Sequence, residues 1–262
     1  FQYARHGGKT LKYIFDSHHT KIIVSGSSAI DLTVKAIKYL VGRIFVFSLY
    51  PLDFEEFLGF KDPEYARLYR ANQIRLTEMV SQPRLDAEKA NTFESYFQEF
   101  AMYGGYPRVV TSNDNNEKQE VLKNIYNIFF LREVKDILGL IDDYRLSKLV
   151  QSLALQIGNL IEYRELSGAS ELSFPTVKKY VNFLSKTFIC VFPKPYFRNK
   201  RVEIVKNPKV YFSDTGLRNA IINNFKAFDK RDDAGAVLEN TFASQLVKQN
   251  LPVQFWRTKK GY

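Results

Sequence analysis

Cysteine is nearly absent. Cys190 is the only one in 262 residues, which excludes an internal disulfide and any multi-cysteine metal site and fits a reducing, cytoplasmic setting. Histidine is almost as scarce. Of His6, His18 and His19, the last two are adjacent and diverge on either a helix or a strand, so they do not chelate one metal together. No run of 18 apolar residues occurs, so no segment reads as a membrane-spanning helix. The opening FQYARHGGKT lacks the apolar stretch of a secretory signal. No HExxH, CxxC or GxSxG string is present, so catalytic constellations are scarce. The string Gly7-Gly8-Lys9-Thr10 looks like the end of a phosphate-binding loop. The glycine such a loop needs five residues before its last one is replaced by Tyr3. Internal repeats and low-complexity tracts are also missing.

What is present belongs to a globular chain. Hydrophobic residues make up 45%, with 22 Phe and 16 Tyr for a core, and the length suits about two domains or more if they are small. Lys and Arg number 38 against 28 acids, a net charge of +10. A basic chain points to an acidic partner, nucleic acid first; the plainer reading is a basic but inert surface. The charge is uneven. Between Lys194 and Lys209 six cations face one acid, Glu203.

Residues 21–25 (KIIVS) and 44–49 (IFVFSL) are short apolar runs bounded by Gly, Ser and Pro, the pattern of buried parallel strands. The segment from Ser28 to Leu40 between them has helical periodicity, so the three predict a βαβ unit. Residues 53–58 start a helix with Asp53 as N-cap. Residues 62–110 read as mostly helical, broken at 81–87, with the GGYP string at 104–107 as a turn. The polar stretch 112–118 is the best linker, and a long helix follows from Lys118 to about Leu140.

The clearest periodicity lies in 145–192. Leu146, Leu149, Val150, Leu153, Ala154 and Ile157 share one helical face, and Gly158 ends it. A short helix spans 163–169. Ser173 caps a third helix whose apolar face is Val177, Tyr180, Val181 and Leu184. A strand at 188–192, a basic tip and a second strand complete the order of a winged helix-turn-helix. In that motif the third helix enters the major groove and the wing touches the backbone. Thr176, Lys179, Asn182 and Lys186 then face outward with Lys178 at their edge, and Lys194, Arg198, Lys200 and Arg201 sit on the wing. These cations suit duplex DNA, chiefly its phosphates. A protein–protein module is the alternative.

KIIVSGSSA (21–29), VGRIFVFSLYPLDFEEF (41–57), YGGYPRVV (103–110), NPKVYFSDTGL (207–217), GAVLENTFASQL (235–246) and QFWRTKKGY (254–262) occur in this order. Together they resemble a family of bacterial and archaeal AAA+-type P-loop ATPases with a C-terminal domain of unknown function. The resemblance implies an α/β fold, part of a P-loop core over 1–58, then a helical lid over 59–115. A winged helix over 116–205 and the start of a restriction-endonuclease-like unit over 206–262 follow. It implies ATP and Mg²⁺ as cofactors, with the phosphate loop and its acidic strand upstream of Phe1 and nuclease acids beyond Tyr262, as in a fragment of a longer protein. Ser27 and Ser28 resemble a sensor position that orients water at a γ-phosphate; capping serines in a turn are the structural alternative. Arg43 resembles an arginine that reaches a phosphate in cis or from a neighbouring copy in a homo-oligomer, or else pairs with Asp53 or Glu55. Glu239 resembles a Mg²⁺-holding glutamate, incomplete alone, and the apolar residues Val237, Leu238, Phe242, Ala243 and Leu246 of its helix predict a core-facing side. Asp214 reads as an N-cap. Three readings stay open: an ATPase with a partner-binding half, a DNA-binding module without turnover, and part of a nuclease.

Overall fold

The computed structural model describes residues 7–18, 20–25, 40, 42–43, 45–72, 86–131, 134 and 143–256. These residues are mostly helical, with one two-stranded sheet. Helix α1 spans Gly7–His18. The apolar runs at 21–25 and 45–49 form neither helix nor sheet strand among the described residues, and most of the helix expected between them lies outside these residues. Phe45, Phe47 and Leu49 are about nine-tenths exposed or more (89%, 90% and 98%). The strand part of the βαβ expectation is therefore not met among the described residues, and most of its helix lies outside them. An apolar run signals burial, but a strand exists only where a neighbour completes its ladder and layers cover its faces.

Helices α2 (Phe54–Lys61) and α3 (Pro63–Ala71) start at aspartate caps. Asp53 accepts from the Glu56 N–H at 2.8 Å while the Glu56 carboxylate accepts from the Asp53 N–H at 2.9 Å, a reciprocal capping box. Helix α4 (Ala87–Tyr103) lays Phe93, Phe97 and Phe100 against Phe54, Phe57 and Tyr69. The Phe54–Phe97 and Phe57–Phe100 ring centroids are both 5.3 Å apart. Truncating a buried ring such as Phe100 to alanine typically costs about 3–5 kcal/mol.

Helix α4 stops where Gly104 takes φ = 75°, a left-handed conformation that favours glycine. After the single turn α5 (Pro107–Val110), the segment expected to be a linker is anchored at its two ends. Ser112 and Lys118 are buried. The Ser112 hydroxyl donates to Glu117 at 2.6 Å, and Lys118 donates to Glu99 at 2.7 Å. Polar sequence marked a linker, but Ser112, Glu117 and Lys118 find side-chain partners and Asp114 caps α6 (Asn115–Asn124), while residues 113–116 stay exposed. A π-helical turn, Ile125–Leu131, continues α6.

Helices α7 (Tyr144–Leu155), α8 (Tyr163–Ser170) and α9 (Phe174–Leu184) follow the predicted periodicity. Their apolar stripes are buried in one core with Ala101, Val210, Phe212, Leu217 and Val237. Strand β1 (Cys190–Val191) pairs antiparallel with β2 (Tyr211–Phe212), Cys190 opposite Phe212. Between them the chain forms α10 (Lys200–Val205). The last helices are α11 (Thr215–Ile221) and α12 (Ala234–Lys248).

The expected apolar face of α12 is corrected. Phe242 and Leu246 are exposed, while Asn240, Thr241 and Ser244 are buried beside Val237 and Ala243. Asn240 faces inward because its amide completes the free edge of β2. Its Oδ1 accepts from the Phe212 N–H at 2.7 Å and its Nδ2 donates to the Phe212 carbonyl at 2.9 Å. Buried backbone groups require such partners. A second polar staple joins α4, α7, α11 and the start of α12. Arg218 donates to the Ala154 carbonyl at 2.7 Å and to Asp233 at 2.5 Å. Arg231 donates to Asp233 at 2.8 Å and to Asn219 at 2.9 Å, and Asn219 donates to the Met102 carbonyl at 2.9 Å.

Candidate functional site

The residues singled out from sequence fall into three places. Ser27 and Ser28 lie outside the described residues. Arg43 follows Gly42, whose φ is 74°. Its guanidinium pairs with Asp16 of α1 at 3.2 Å, with both side chains about two-fifths exposed. The partner is therefore neither Asp53 nor Glu55, which are occupied elsewhere: Asp53 caps α2, and Glu55 pairs with Arg70. The false phosphate loop Gly7-Gly8-Lys9-Thr10 opens α1 with Gly8 buried.

Glu239 faces β2. Lys209 donates to its carboxylate at 2.7 Å and the Tyr211 hydroxyl donates to the same oxygen. Burial and this hydrogen bond push the Tyr211 pKa up. Among the described residues no three His, Cys, Asp or Glu side chains converge as a metal cluster. Glu239 therefore acts here as an acceptor that anchors Lys209 and Tyr211.

The basic residues gather around α9. Ser173 caps this helix, and Val177, Tyr180, Val181 and Leu184 bury its inner face. Lys179, Asn182 and Lys186 are exposed, as the periodicity predicts. Lys178 turns toward α8, with its ammonium 4.6 Å from the Phe174 ring centre and 5.6 Å from that of Tyr163. There it lines a groove of about 830 Å³ between α9 and residues 192–208.

Across the groove, Lys194 donates to the Ile204 carbonyl at 2.7 Å, satisfying one of the open carbonyls at the end of α10. Lys200 pairs with Glu203 at 2.8 Å and sits over Tyr196. Arg198 and Arg201 are exposed. The proposed cation set thus divides. Lys178 and Lys194 line the groove, while Lys179, Lys186, Arg198, Lys200 and Arg201 are not among its lining residues.

Sequence reading missed a junction that unites four of its own motifs. The Leu52 N–H donates to the Gly105 carbonyl at 2.8 Å, and the Gly105 N–H donates to Asp214 at 2.7 Å. Lys248 donates to the Leu52 carbonyl at 2.8 Å, and the Phe54 N–H donates to Gln245 at 2.8 Å. Asp214 also caps α11 through the Leu217 N–H at 3.0 Å. Burial raises the Asp214 pKa against the opposing effect of Lys248 and backbone N–H groups. The signal available in sequence was the paired glycines: a Cβ on Gly105 would overlap the Leu52 carbonyl, and one on Gly216 the Tyr103 carbonyl.

A family model described as "Domain of unknown function (DUF8612)" matches residues 94–227, and one described as "AAA domain" matches residues 1–58. Similar curated proteins include an uncharacterized protein of Haemophilus influenzae, 27% identical over 226 residues, covering 84% of this chain and 50% of the relative. Two uncharacterized proteins of Methanocaldococcus jannaschii are 25% and 24% identical. They cover 92% and 100% of this chain and 51% and 54% of themselves. The chain spans about half the length of these relatives. No solved structure matches it significantly. The junction therefore joins the end of the AAA-matching segment to the DUF-matching region and to α12.

Proposed function

The chain belongs to the family described as Domain of unknown function (DUF8612), and from that premise we propose that it is part of an AAA-type, ATP-binding ATPase whose helical half binds a partner. The AAA-domain match over residues 1–58 carries the nucleotide part of this reading. Its domain division is the one drawn from sequence: ATPase core over 1–58, helical lid over 59–115, winged helix over 116–205 and a nuclease-like start over 206–262. Three helices with β1, α10 and β2 after them favour the winged-helix part of it.

The described residues do not assemble a site for ATP and Mg²⁺. Arg43 is turned to Asp16, and no acidic cluster is available for the ion among them. Within the proposal, Ser27 and Ser28 would orient water at the nucleotide and Arg43 would exchange Asp16 for a phosphate, in cis or across a homo-oligomer. Arg43 and Asp16 are both exposed enough that their pairing is weak, on the order of 0–1 kcal/mol.

For the partner, duplex DNA is favoured by the outward cations Lys179, Lys186, Arg198, Lys200 and Arg201, with Lys178 and Lys194 adding to the same positive field. Recognition would be phosphate-dominated, because no arginine lies on α9 to pair with guanine.

The test of the nucleotide reading is ATP turnover by the protein at its natural length and by residues 1–262 alone. The natural-length protein is expected to hydrolyse ATP, and Ser27→Ala to lower kcat far more than it weakens ATP binding. The 1–262 chain is expected to show none. Turnover by 1–262 alone, or an inactive natural-length protein that binds no ATP, overturns the reading.

A further inference from the structure

The groove beside α9 is more than a cluster of cations. One wall is a stripe of α9 and its C-cap: Phe174, Lys178, Val181, Asn182 and Ser185, spaced i, i+4, i+7, i+8 and i+11 along one side of the helix. The opposite wall is the end of α10 with Ile204, Val205 and Lys206. Ile204 and Val205 are 70% and 76% exposed. Single exposed aliphatic residues are ordinary on a protein surface. Here two adjacent ones stand on the wall of a concave site whose remaining apolar lining includes Phe192 and Pro208.

The charge of that site is one-sided. Arg164, Lys178, Lys194 and Lys206 line it against a single carboxylate, Glu162. Two of these ammonium groups are held in place: Lys178 over two aromatic rings and Lys194 on the Ile204 carbonyl. Asn182, Ser185 and Asn207 supply neutral donors and acceptors.

We propose that this groove docks an acidic peptide segment of a protein partner, whose apolar side chains cover Ile204 and Val205 while its carboxylates face Lys178, Lys194 and Lys206. A phosphate backbone satisfies the cations but offers no apolar surface to Ile204 and Val205. A purely apolar segment does the reverse and leaves four cations facing it. A peptide that mixes acids with aliphatic or aromatic anchors satisfies both, and its backbone finds the amides and the hydroxyl of the groove. A second copy of this chain carries a net charge of +10 and is repelled by a basic groove. The inference takes the partner-binding half of the reading above and names a protein for the groove; it does not depend on nucleotide binding or on DNA at the outward cations.

The test is selection of a displayed library of random peptides, about 12 residues long, against residues 1–262 at physiological salt. Fluorescence anisotropy of a labelled winner then measures affinity. The winners are expected to carry several Asp or Glu residues flanking adjacent apolar ones. Ile204→Ser with Val205→Ser should weaken the labelled peptide by about tenfold or more, the effect of losing a central anchor. Lys178→Ala should weaken it by several-fold, and Lys179→Ala with Lys186→Ala by less than about twofold. Because Ile204 and Val205 are exposed, the double serine variant is expected to fold, which circular dichroism checks. Lys178→Ala is an independent probe of the same groove. A selection without acidic–apolar winners, or winners that bind the double serine variant as well as the parent, overturns the proposal. It is also overturned if the double serine variant loses duplex DNA while keeping the peptide, since the groove would then belong to nucleic acid. None of these outcomes bears on ATP turnover, so failure here and failure of the nucleotide reading are separable.

Discussion

The Gly105 N–H donates to the buried carboxylate of Asp214 at 2.7 Å across 109 residues of sequence. The same carboxylate starts α11, and the Gly105 carbonyl receives the Leu52 N–H. One side chain thus ties the segment before α2, the turn after α4 and the cap of α11 into a single joint.

Removing that joint is expected to weaken the whole fold. Asp214→Ala leaves the N–H groups of Gly105 and Leu217 buried without an acceptor, at about 1–3 kcal/mol for each. Gly105→Ala forces a methyl against backbone rather than a yielding side chain, so its cost should reach the upper end of the roughly 1–3 kcal/mol typical of overpacking. Urea unfolding should show lower midpoints with an unchanged slope. A midpoint equal to that of the parent for either variant contradicts this account.

Acid should act through Asp233. Its own desolvation works against ionisation, but hydrogen bonds from Arg231 and Arg218 hold its pKa down at about 2, below the ordinary 3.8. A lowered carboxylate contributes stability that is present above the unfolded value and lost as pH falls toward the folded one. The window is therefore about pH 4 to 2, and the amount on the order of 2 kcal/mol. Asp214 has the opposite sign, because its pKa is raised: its contribution is present at acid pH and lost as pH rises through the folded value. The difference between parent and Asp233→Asn isolates the Asp233 effect. At neutral pH that variant should lose about 3–5 kcal/mol, because it leaves two buried guanidinium groups uncompensated. Denaturant unfolding at a series of pH values measures both.

Duplex DNA binding should be steeply salt-dependent. Four phosphate contacts give a slope of log K against log salt of roughly −3.6. Reversing Lys194, Arg198, Lys200 and Arg201 to Glu should abolish the gel shift at about 50 mM salt while circular dichroism stays unchanged, because Arg198, Lys200 and Arg201 are exposed and Lys194 holds only one carbonyl. If the parent chain itself gives no shift at that salt, the DNA reading is abandoned.

Glu239 should behave as a structural acceptor. Glu239→Ala removes the partner of both Lys209 and Tyr211, so a loss of about 1–2 kcal/mol is expected. Mg²⁺ should not raise the melting temperature of residues 1–262. A Mg²⁺-dependent rise that Glu239→Ala abolishes would restore the metal role.

Much of the helical architecture was legible locally. The apolar spacing of Leu146, Leu149, Val150 and Leu153, and of Val177, Tyr180, Val181 and Leu184, marked α7 and α9 because a 3.6-residue period is written in neighbouring positions. Asp53, Ser173 and Asp214 were legible as caps for the same reason: a cap bonds to an N–H two or three residues away. The apolar runs at 21–25 and 45–49 showed where that reading stops. Their composition specified burial, but a strand depends on a neighbour that no local pattern names.

By itself the sequence determined helix positions, cap residues, the excess of positive charge and its concentration after Lys194. Those properties depend on composition or on residues a turn apart. Only the tertiary structure decided that Asn240 completes the edge of β2 and that Arg218, Arg231 and Asp233 form one buried staple. It also decided that Ser112 and Lys118 bury the two ends of 112–118, and that Lys178 faces a groove while Lys179 faces outward. Each of these is a pairing between groups distant in the chain or a choice between adjacent faces of one helix. Such choices are settled when buried polar groups compete for the few partners that the folded core leaves within reach.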